Sequence, residues 1–309
     1  RTPQNPGGQD LSAVFWDIDR LCLDSPAFPG YNGHTMKGAV AVSDFLKRTW
    51  AEINLDALQD NYRAIASSLS GNSRVMAVVK ADAYGHGAGM AALAFREAGA
   101  AWFGVSNLDE AMQLRSAGIT EPILVFAYTP PSEAANLARL DVSQTVLNGN
   151  YARELEESAA AAGVQVHIHV KIDTGMSRVG LPYHSERQDG DTLREIKAIC
   201  GLPHLIGEGV FTHFASADEE DDGGYTRRQF NRFMEALGRL EQRGVAFRYR
   251  HCCNSAGLMR FEDMHLDLVR PGIILYGLPP APWMQGMLPL RPAMELKTVA
   301  SMVKTVPDG

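Results

Sequence analysis

A lysine at the end of an apolar run is the residue of this chain that is best suited to take part in chemistry. Lys80 directly follows Met76–Val79, a run that indicates a buried strand, and Tyr84–Gly87 follows four residues later. Burial at a strand end favours the uncharged amine, which can condense with an aldehyde to form an imine. An isolated strand-end lysine more often extends to water. Here the following loop, with its tyrosine hydroxyl and its permissive glycines, favours a ligand site.

Other residues near or shortly after the ends of apolar runs could complete such a site. They are Lys171, Arg178, His213, Asn254, Ser255, Arg270, Gly272 and Ile273. Hydroxyl, amide and backbone N–H groups can surround a phosphate, and a guanidinium binds an anionic oxygen without losing its own charge. A histidine that ends a strand is more often a satisfied core residue. The acidic run 218–222 is typical of a solvated loop, and His167 and His169 are interpreted as structural, so no metal site is predicted.

The elements that must position these residues alternate between strands and helices. The predicted strands are Val75–Val79, Trp102–Val105, Ile123–Phe126, Val142–Leu147, Val164–Ile172, Gly209–Phe214, Phe247–Cys253 and Leu266–Tyr276. Amphipathic periodicity predicts helices at 55–69, 87–98, 107–117, 131–139, 150–162, 191–200, 225–243 and 255–261. This order predicts the α/β fold class and a (β/α)8 TIM-type barrel. A doubly wound open sheet would alternate similarly, but phosphate-type residues after strands seven and eight favour the barrel.

Together these segments resemble the alanine racemase family of fold-type III pyridoxal-phosphate (PLP) enzymes. The resemblance extends from about residue 47 to the end of the chain and rests on several separated segments that agree in order. It implies that Lys80 carries the PLP and acts as a base on one face of the substrate. Tyr84 would donate to the cofactor phosphate, where Asn254, Ser255, Gly272 and Ile273 would also bind.

The same resemblance implies roles for the remaining cationic residues. Arg178 would bind the phenolic oxygen of the cofactor and contribute to the substrate site, braced by Lys171, which is often carbamylated in the family. Arg270 would face the pyridine nitrogen, with His213 hydrogen-bonded to it. Because arginine stays protonated, it gives that nitrogen no proton, so the ring is a weaker electron sink. This favours racemisation over transamination.

The resemblance further implies the activity and the assembly. The enzyme would interconvert L-alanine and D-alanine by two-base proton transfer at Cα and supply D-alanine for cell-wall peptidoglycan. The second base would be a tyrosine from the partner subunit of a homodimer, expected beyond Gly309. A chain without that tyrosine is expected to bind PLP poorly and to racemise little.

Changes in composition and in hydrophobic periodicity along the chain predict three regions. Residues 1–46 are predicted to be a poorly ordered extension, with residues 1–35 a leader, an expression remnant or sequence upstream of a start at Met36. Residues 47–280 are predicted to form the barrel. Residues 281–309 begin an incomplete C-terminal β domain, to which the alternating segment Trp50–Leu55 also belongs.

Composition excludes several classes of protein. A net charge of -7 without a basic block argues against nucleic-acid binding. No apolar run approaches the roughly 18 residues of a membrane span. The four cysteines (Cys22, Cys200, Cys252 and Cys253) show no disulfide or zinc spacing, which indicates a reducing, cytoplasmic compartment.

Two other functions remain open from the sequence. One is a related PLP enzyme, either a racemase of serine or of a broader set of amino acids, or a decarboxylase. Arg270 argues against a decarboxylase, which in this fold usually places an acidic residue opposite the pyridine nitrogen. The other is a non-catalytic PLP carrier, which would keep Lys80 and the phosphate loops without a second base.

Overall fold

A parallel barrel forms the body of the molecule. The computed structural model describes residues 48–307 and the backbone of one earlier strand, 14–17. The strands are β1 (Val14–Asp17), β2 (Thr49–Ile53), β3 (Arg74–Val78), β4 (Trp102–Val105), β5 (Ile123–Val125), β6 (Val142–Val146), β7 (Val166–Asp173), β8 (Leu181–Pro182), β9 (Leu205–Phe211), β10 (Tyr249–His251), β11 (Leu268–Val269) and β12 (Met294–Thr298). The parallel sheet has the order β10-β9-β7-β6-β5-β4-β3-β11, and β8 pairs with β7.

Hydrogen bonds between β10 with its following loop and the residues on either side of β11 close the barrel. The N–H of Asp267 donates to the carbonyl of Arg250 at 3.1 Å, and the N–H of Arg270 donates to the carbonyl of Cys253 at 2.9 Å. The eight strands therefore surround one interior, and the predicted barrel is confirmed. The open-sheet alternative is wrong.

Helices cover the outside of the barrel. Their bounds are Leu55–Ser67, Ala88–Glu97, Leu108–Ser116, Ala134–Arg139, Gly149–Ala162, Glu186–Cys200, Tyr225–Glu241 and Ser255–Arg260, with 3-10 turns at Pro131–Glu133, Glu262–Met264, Ile273–Tyr276 and Pro282–Met284. Asparagine side chains cap several of them. Asn54, Asn107 and Asn148 each accept a backbone N–H three residues later. Such a cap stabilises a helix by about 1 kcal/mol.

Both faces of the strands are buried, as expected of a parallel sheet. Side chains that point outward pack against the helices in a large apolar layer. Side chains that point inward form a smaller cluster of Met76, Trp102, Leu124, Tyr249 and Leu268. The barrel is thus filled at this level, so a ligand can enter only from one of its ends.

The eighth strand is shorter than predicted. The run Leu266–Tyr276 contains only the two-residue strand β11, and Ile273–Tyr276 forms a 3-10 helix instead. Pro271 and Gly272 explain the difference, because proline lacks an N–H for strand pairing and Gly272 adopts φ -114°, ψ -93° at the start of that helix. An apolar run alone does not distinguish a strand from a buried helix.

A small antiparallel sheet lies outside the barrel, with the strand order β1-β2-β12. Thr49 pairs with Thr298 and Ile53 with Met294, so the two alternating segments of the sequence meet each other. The alternating pattern of the sequence from Met294 runs on to Val306, but residues 299–307 form no strand. Apart from strand β1, the prediction for residues 1–46 lies outside the described residues, and the three domain boundaries stay a prediction.

Candidate functional site

A cavity of about 740 Å³ opens at the carboxyl ends of the barrel strands. All ten residues singled out in the sequence line it: Lys80, Tyr84, Lys171, Arg178, His213, Asn254, Ser255, Arg270, Gly272 and Ile273. They come from five separate segments of the chain. The parallel strands bring them together because their carboxyl ends meet at one end of the barrel.

Lys80 stands at the start of an unusual backbone turn. It is partly buried, and residues 81–84 all have φ between 51° and 55°, which makes one turn of left-handed helix without a glycine. Each such residue costs roughly 1–2 kcal/mol. Glu110 supports the turn, because its carboxylate accepts the N–H groups of Ala81 at 2.9 Å and of Ser106 at 2.7 Å. The sequence carried no signal for this turn, nor for the contact that holds it.

The turn directs Tyr84 across the mouth of the barrel toward the loop after β11. A methyl group on Gly272 would overlap the hydroxyl of Tyr84, so only glycine allows this close approach. The Tyr84 ring also packs on Tyr276, with a centroid distance of 5.1 Å. Burial raises the pKa of Tyr84, so its hydroxyl stays protonated and can donate a hydrogen bond.

The loops after β10 and β11 are joined to each other. The N–H of Gly272 donates to Oγ of Ser255 at 2.9 Å, and Oδ1 of Asn254 accepts the N–H of Gly257 at 2.8 Å. The Ser255 hydroxyl hydrogen and the Asn254 amide group stay able to donate. The N–H of Gly272, expected to serve a ligand, is instead paired with Ser255. Ile273 begins a 3-10 helix, where backbone N–H groups have no partner within the helix.

Arg270 lies beneath these loops and is only 4% exposed. Its guanidinium donates to the carbonyls of Thr212 at 2.8 Å and Cys252 at 3.0 Å, and lies 2.9 Å from Nδ1 of His251. His213 Nδ1 lies 3.4 Å away on the same side. Burial lowers the pKa of Arg270 to about 10, so it is still a cation at neutral pH. Within residues 48–307, no carboxylate forms an ion pair with it.

Lys171 is a second buried cation, 5% exposed, at the end of β7. Burial lowers its pKa to about 8, and the charges of Arg178 and Arg270 add to this effect. Burial also holds the pKa of His213 well below its usual value, so that ring is neutral. Arg178 itself is exposed and lies in a loop organised by Asp173, whose carboxylate accepts the Arg178 N–H at 3.1 Å.

Sequence reasoning missed the polar residues beneath the cavity. His251 contacts Arg270, and His169 lies 2.9 Å from His251 across the barrel interior. Glu208, on the neighbouring strand β9, lies 3.5 Å from Nε2 of His169. The sequence showed no carboxylate near His169, because the two residues are 39 positions apart and meet only through strand pairing.

The part of the chain that the structure describes carries neither a cluster of metal-binding side chains nor a membrane-spanning helix. In residues 14–17 and 48–307, no three His, Cys, Asp or Glu residues are grouped so that they could hold a metal ion. None of the helices there combines the length and apolar character needed to cross a membrane.

The barrel fold and the cavity at its carboxyl end, lined by several cationic side chains and by Gly272, define a (β/α)8-barrel enzyme. A family model described as "Alanine racemase, N-terminal domain" matches residues 53–280. The chain belongs to the alanine racemase family, whose members are isomerases.

Known proteins show the extent of the similarity. The chain is 46% identical to the alanine racemase of Desulforamulus reducens over 261 residues, which cover 84% of this chain and 69% of that protein. It is 42% identical to alanine racemase 2 of Caldanaerobacter subterraneus, with 86% and 67% covered. The structure of Clostridium difficile 630 alanine racemase in complex with cycloserine superimposes with a TM-score of 0.79 at 37% identity, covering 85% of this chain and 71% of that one.

Proposed function

We propose that this protein is a PLP-dependent racemase that interconverts L-alanine and D-alanine, with Lys80 as the residue that carries the cofactor. One observation carries the proposal. The ten residues that the sequence singled out all line one cavity at the carboxyl end of the barrel. The family membership and the names of its relatives supply the substrate, alanine.

The chemistry of the donor set fits PLP. An aldehyde needs an amine, which Lys80 offers at the wall of the cavity. A phosphate needs neutral donors and backbone N–H groups, which Tyr84, Asn254, Ser255 and Ile273 supply on one side. A ring nitrogen and a phenolic oxygen need hydrogen-bond partners, and Arg270 and Arg178, which both line the cavity, would serve as these partners, with His213 beside Arg270.

When bound, PLP supplies an aldehyde that binds the amino group and a conjugated ring that withdraws electrons from Cα. The residues of this chain then control the proton. Lys80 removes it from Cα on one face, or returns it there. Arg270 remains protonated and donates to the ring nitrogen without transferring a proton. Charge that develops at Cα is therefore only moderately stabilised, and rapid return of the proton to Cα is favoured over its transfer elsewhere.

Lys171 is proposed to become carbamylated. Its lowered pKa, about 8, leaves part of the amine uncharged near neutral pH, and an uncharged amine can add to CO2 with loss of a proton. The product is an anion between Arg178 and Arg270, which would replace repulsion among three cations by attraction. It would brace Arg178 against the cofactor.

Racemisation also needs a base on the opposite face of Cα. We propose that this second base is a tyrosine of the partner subunit in a homodimer. The match covers 67–70% of the length of three relatives, and the tyrosine would come from the part of the family's chain outside this match. Residues 281–309 would begin that β domain, after the barrel at 47–280 and the extension at 1–46. The setting would be cytoplasmic, and the product D-alanine would serve peptidoglycan synthesis.

The test measures the formation of D-alanine from L-alanine by chiral chromatography, with serine as the comparison substrate. A chain extended by the part of its relatives that it does not span is expected to racemise alanine faster than serine, and the 309-residue chain to show little turnover. Equal turnover by the two chains would refute the proposed second base. Failure of the extended chain with PLP to produce D-alanine would refute the function.

A further inference from the structure

A line of polar side chains crosses the barrel interior beneath Arg270. Nη1 of Arg270 lies 2.9 Å from Nδ1 of His251, and Nε2 of His251 lies 2.9 Å from Nδ1 of His169. Nε2 of His169 then lies 3.5 Å from Oε1 of Glu208. Both imidazoles are 0% exposed. The mechanism above uses only the first member of this line.

The donor-to-acceptor direction is the same all along this line, from Arg270 toward Glu208. A guanidinium can only donate hydrogen bonds, so Nδ1 of His251 must accept. Burial holds the pKa of both imidazoles below the ordinary histidine value, so each ring is neutral and carries one hydrogen. His251 therefore carries its hydrogen on Nε2 and donates to Nδ1 of His169. His169 must then carry its own hydrogen on Nε2, facing the carboxylate of Glu208.

Glu208 is held as the anion at the end of this line. The hydroxyl of Ser143 donates to it, and Nδ1 of His167 lies 3.3 Å from its second oxygen. Burial alone would raise the pKa of Glu208, but the hydrogen bond from Ser143 and the nearby imidazole of His169, 3.5 Å away, more than offset this, so the pKa is lowered. Ser143 is the second residue of β6, which places Glu208 away from the mouth of the barrel.

The surroundings keep the middle of the line in place. A methyl group on Gly209 would occupy the space of the His169 ring. Trp102 packs edge-on against that ring at 5.3 Å, and Tyr249 stacks on it at 6.3 Å between centroids. Phe211 stacks on His251 at 4.8 Å. These contacts leave the two imidazoles little freedom to rotate, so the hydrogen-bond direction is maintained by packing as well.

We propose that Glu208 is a positioning residue, which acts through His169 and His251 to set the direction in which Arg270 donates at the floor of the cavity. The carboxylate orients the two imidazoles, and His251 then accepts one N–H of Arg270 and holds the plane of the guanidinium. In a low-dielectric interior, such a chain polarises each of its hydrogen bonds. The inference rests on the proposed function only for what Arg270 faces.

Histidine tautomers test the direction of the line in the cofactor-free chain. Nitrogen-15 NMR of histidine-labelled protein, assigned with His169→Gln and His251→Gln, is expected to show both rings protonated at Nε2 only. A coupling between Nε2 of His251 and Nδ1 of His169 should accompany this. Protonation of either ring at Nδ1 would overturn the proposal. Because no PLP is present, this result is independent of whether the protein proves to be a racemase.

A matched pair of variants tests the effect on the site. Glu208→Gln removes the charge at the end of the line, whereas Glu156→Gln removes the charge from another partly buried pair, Glu156 with His204 at 2.8 Å, which has no link to Arg270. In the chain extended by the part of its relatives that it does not span, Glu208→Gln is expected to lower kcat about tenfold with little change in KM, as for other orienting partners. It should also shift the nitrogen resonances of His251. Glu156→Gln should change neither.

Equal effects of the two variants on kcat would overturn the proposal, as would an unchanged His251 resonance in Glu208→Gln. If Glu208→Gln does not fold, Ser143→Ala serves instead, because it removes only one donor to the Glu208 carboxylate. It is expected to shift the His251 resonance in the same direction by a smaller amount. No shift in that variant would also overturn the proposal.

Discussion

Two arginines at opposite ends of the barrel show how differently the ends are built. Arg115 lies at the amino ends of the strands and donates to the backbone carbonyls of Ile119, Glu121, Leu140 and Asp141 at 2.7–2.9 Å. Those carbonyls belong to the loops that enter β5 and β6. Arg270, at the carboxyl ends, shares its donors between two carbonyls and two imidazoles and lines the cavity.

The difference separates stability from function. Among the residues that the structure describes, the hydrogen-bond partners of Arg115 are backbone oxygens of its own end of the barrel, so its role is to join neighbouring loops. The carboxyl end instead carries four left-handed residues in a row, at 81–84, and a lysine with a pKa of about 8 among other cations. Such strain and repulsion persist only where the surrounding structure holds them, which is typical of functional sites.

The largest effect is expected from Lys80→Ala. We expect it to remove the borohydride-reducible adduct with PLP and to lower racemisation by the extended chain about 10⁴-fold, because both the attachment point and one base are lost. Mass spectrometry after reduction measures the adduct. Lys197→Ala, on an exposed helical position, should keep it. A persistent adduct in Lys80→Ala would reject the assignment.

Replacing each arginine with glutamine tests the comparison directly. Arg270→Gln should lower kcat about 10²-fold, since a charged donor to the cofactor is lost. Arg115→Gln should leave kcat per folded molecule unchanged and lower the free energy of unfolding by about 1 kcal/mol, because partly buried carbonyls lose their donors. Urea unfolding and racemisation assays on both variants measure the two quantities. A fall in kcat for Arg115→Gln would break the contrast between the ends.

Lys171 should make stability depend on pH. The unfolded lysine has a pKa of 10.5 and the folded one about 8, so the folded state carries the full cost of a buried charge below pH 8. As pH rises from 8 to 10.5, the folded state loses its proton first and the cost disappears. In buffer depleted of CO2, Lys171→Met should therefore be more stable than the parent chain by about 3 kcal/mol or less at pH 7.

The difference in the free energy of unfolding between Lys171→Met and the parent chain should shrink as the pH approaches 10. Denaturant unfolding at several pH values measures it, with the exposed Lys197→Met as a control that should show a small, pH-independent change. A stabilisation by Lys171→Met that grows with pH would contradict the direction of the pKa shift.

The smallest effect is expected from Gly272→Ala. The new methyl group would displace the Tyr84 hydroxyl, and we expect the Kd of PLP to rise about tenfold, which corresponds to one displaced hydrogen bond. Gly238→Ala is the control, because no atom lies within 4 Å of a methyl group there and helical alanine stabilises by about 0.5–1 kcal/mol. Fluorescence titration with PLP measures both. Unchanged affinity in Gly272→Ala would show that Tyr84 does not bind the phosphate.

Much of the barrel and of the cavity wall could be predicted from the sequence. Each barrel strand is a short apolar run, and the site residues lie near or shortly after the end of such a run, as Lys80 follows Met76–Val79. Since parallel strands place their carboxyl ends together, chain order alone brought Lys80, His213 and Arg270 into one cavity. The eighth strand was predicted to be longer than it is, because periodicity does not identify a 3-10 turn in an apolar run.

The sequence by itself determined the alternation of strands and helices, and with it the end of the barrel at which the chemistry lies. Only the tertiary structure decided which groups meet across the barrel: Glu110 under the left-handed turn, Ser255 on the N–H of Gly272, and Glu208 beneath His169. The physical reason is that local patterns specify the elements, whereas hydrogen bonds between distant residues depend on strand register and barrel closure, which no single segment encodes.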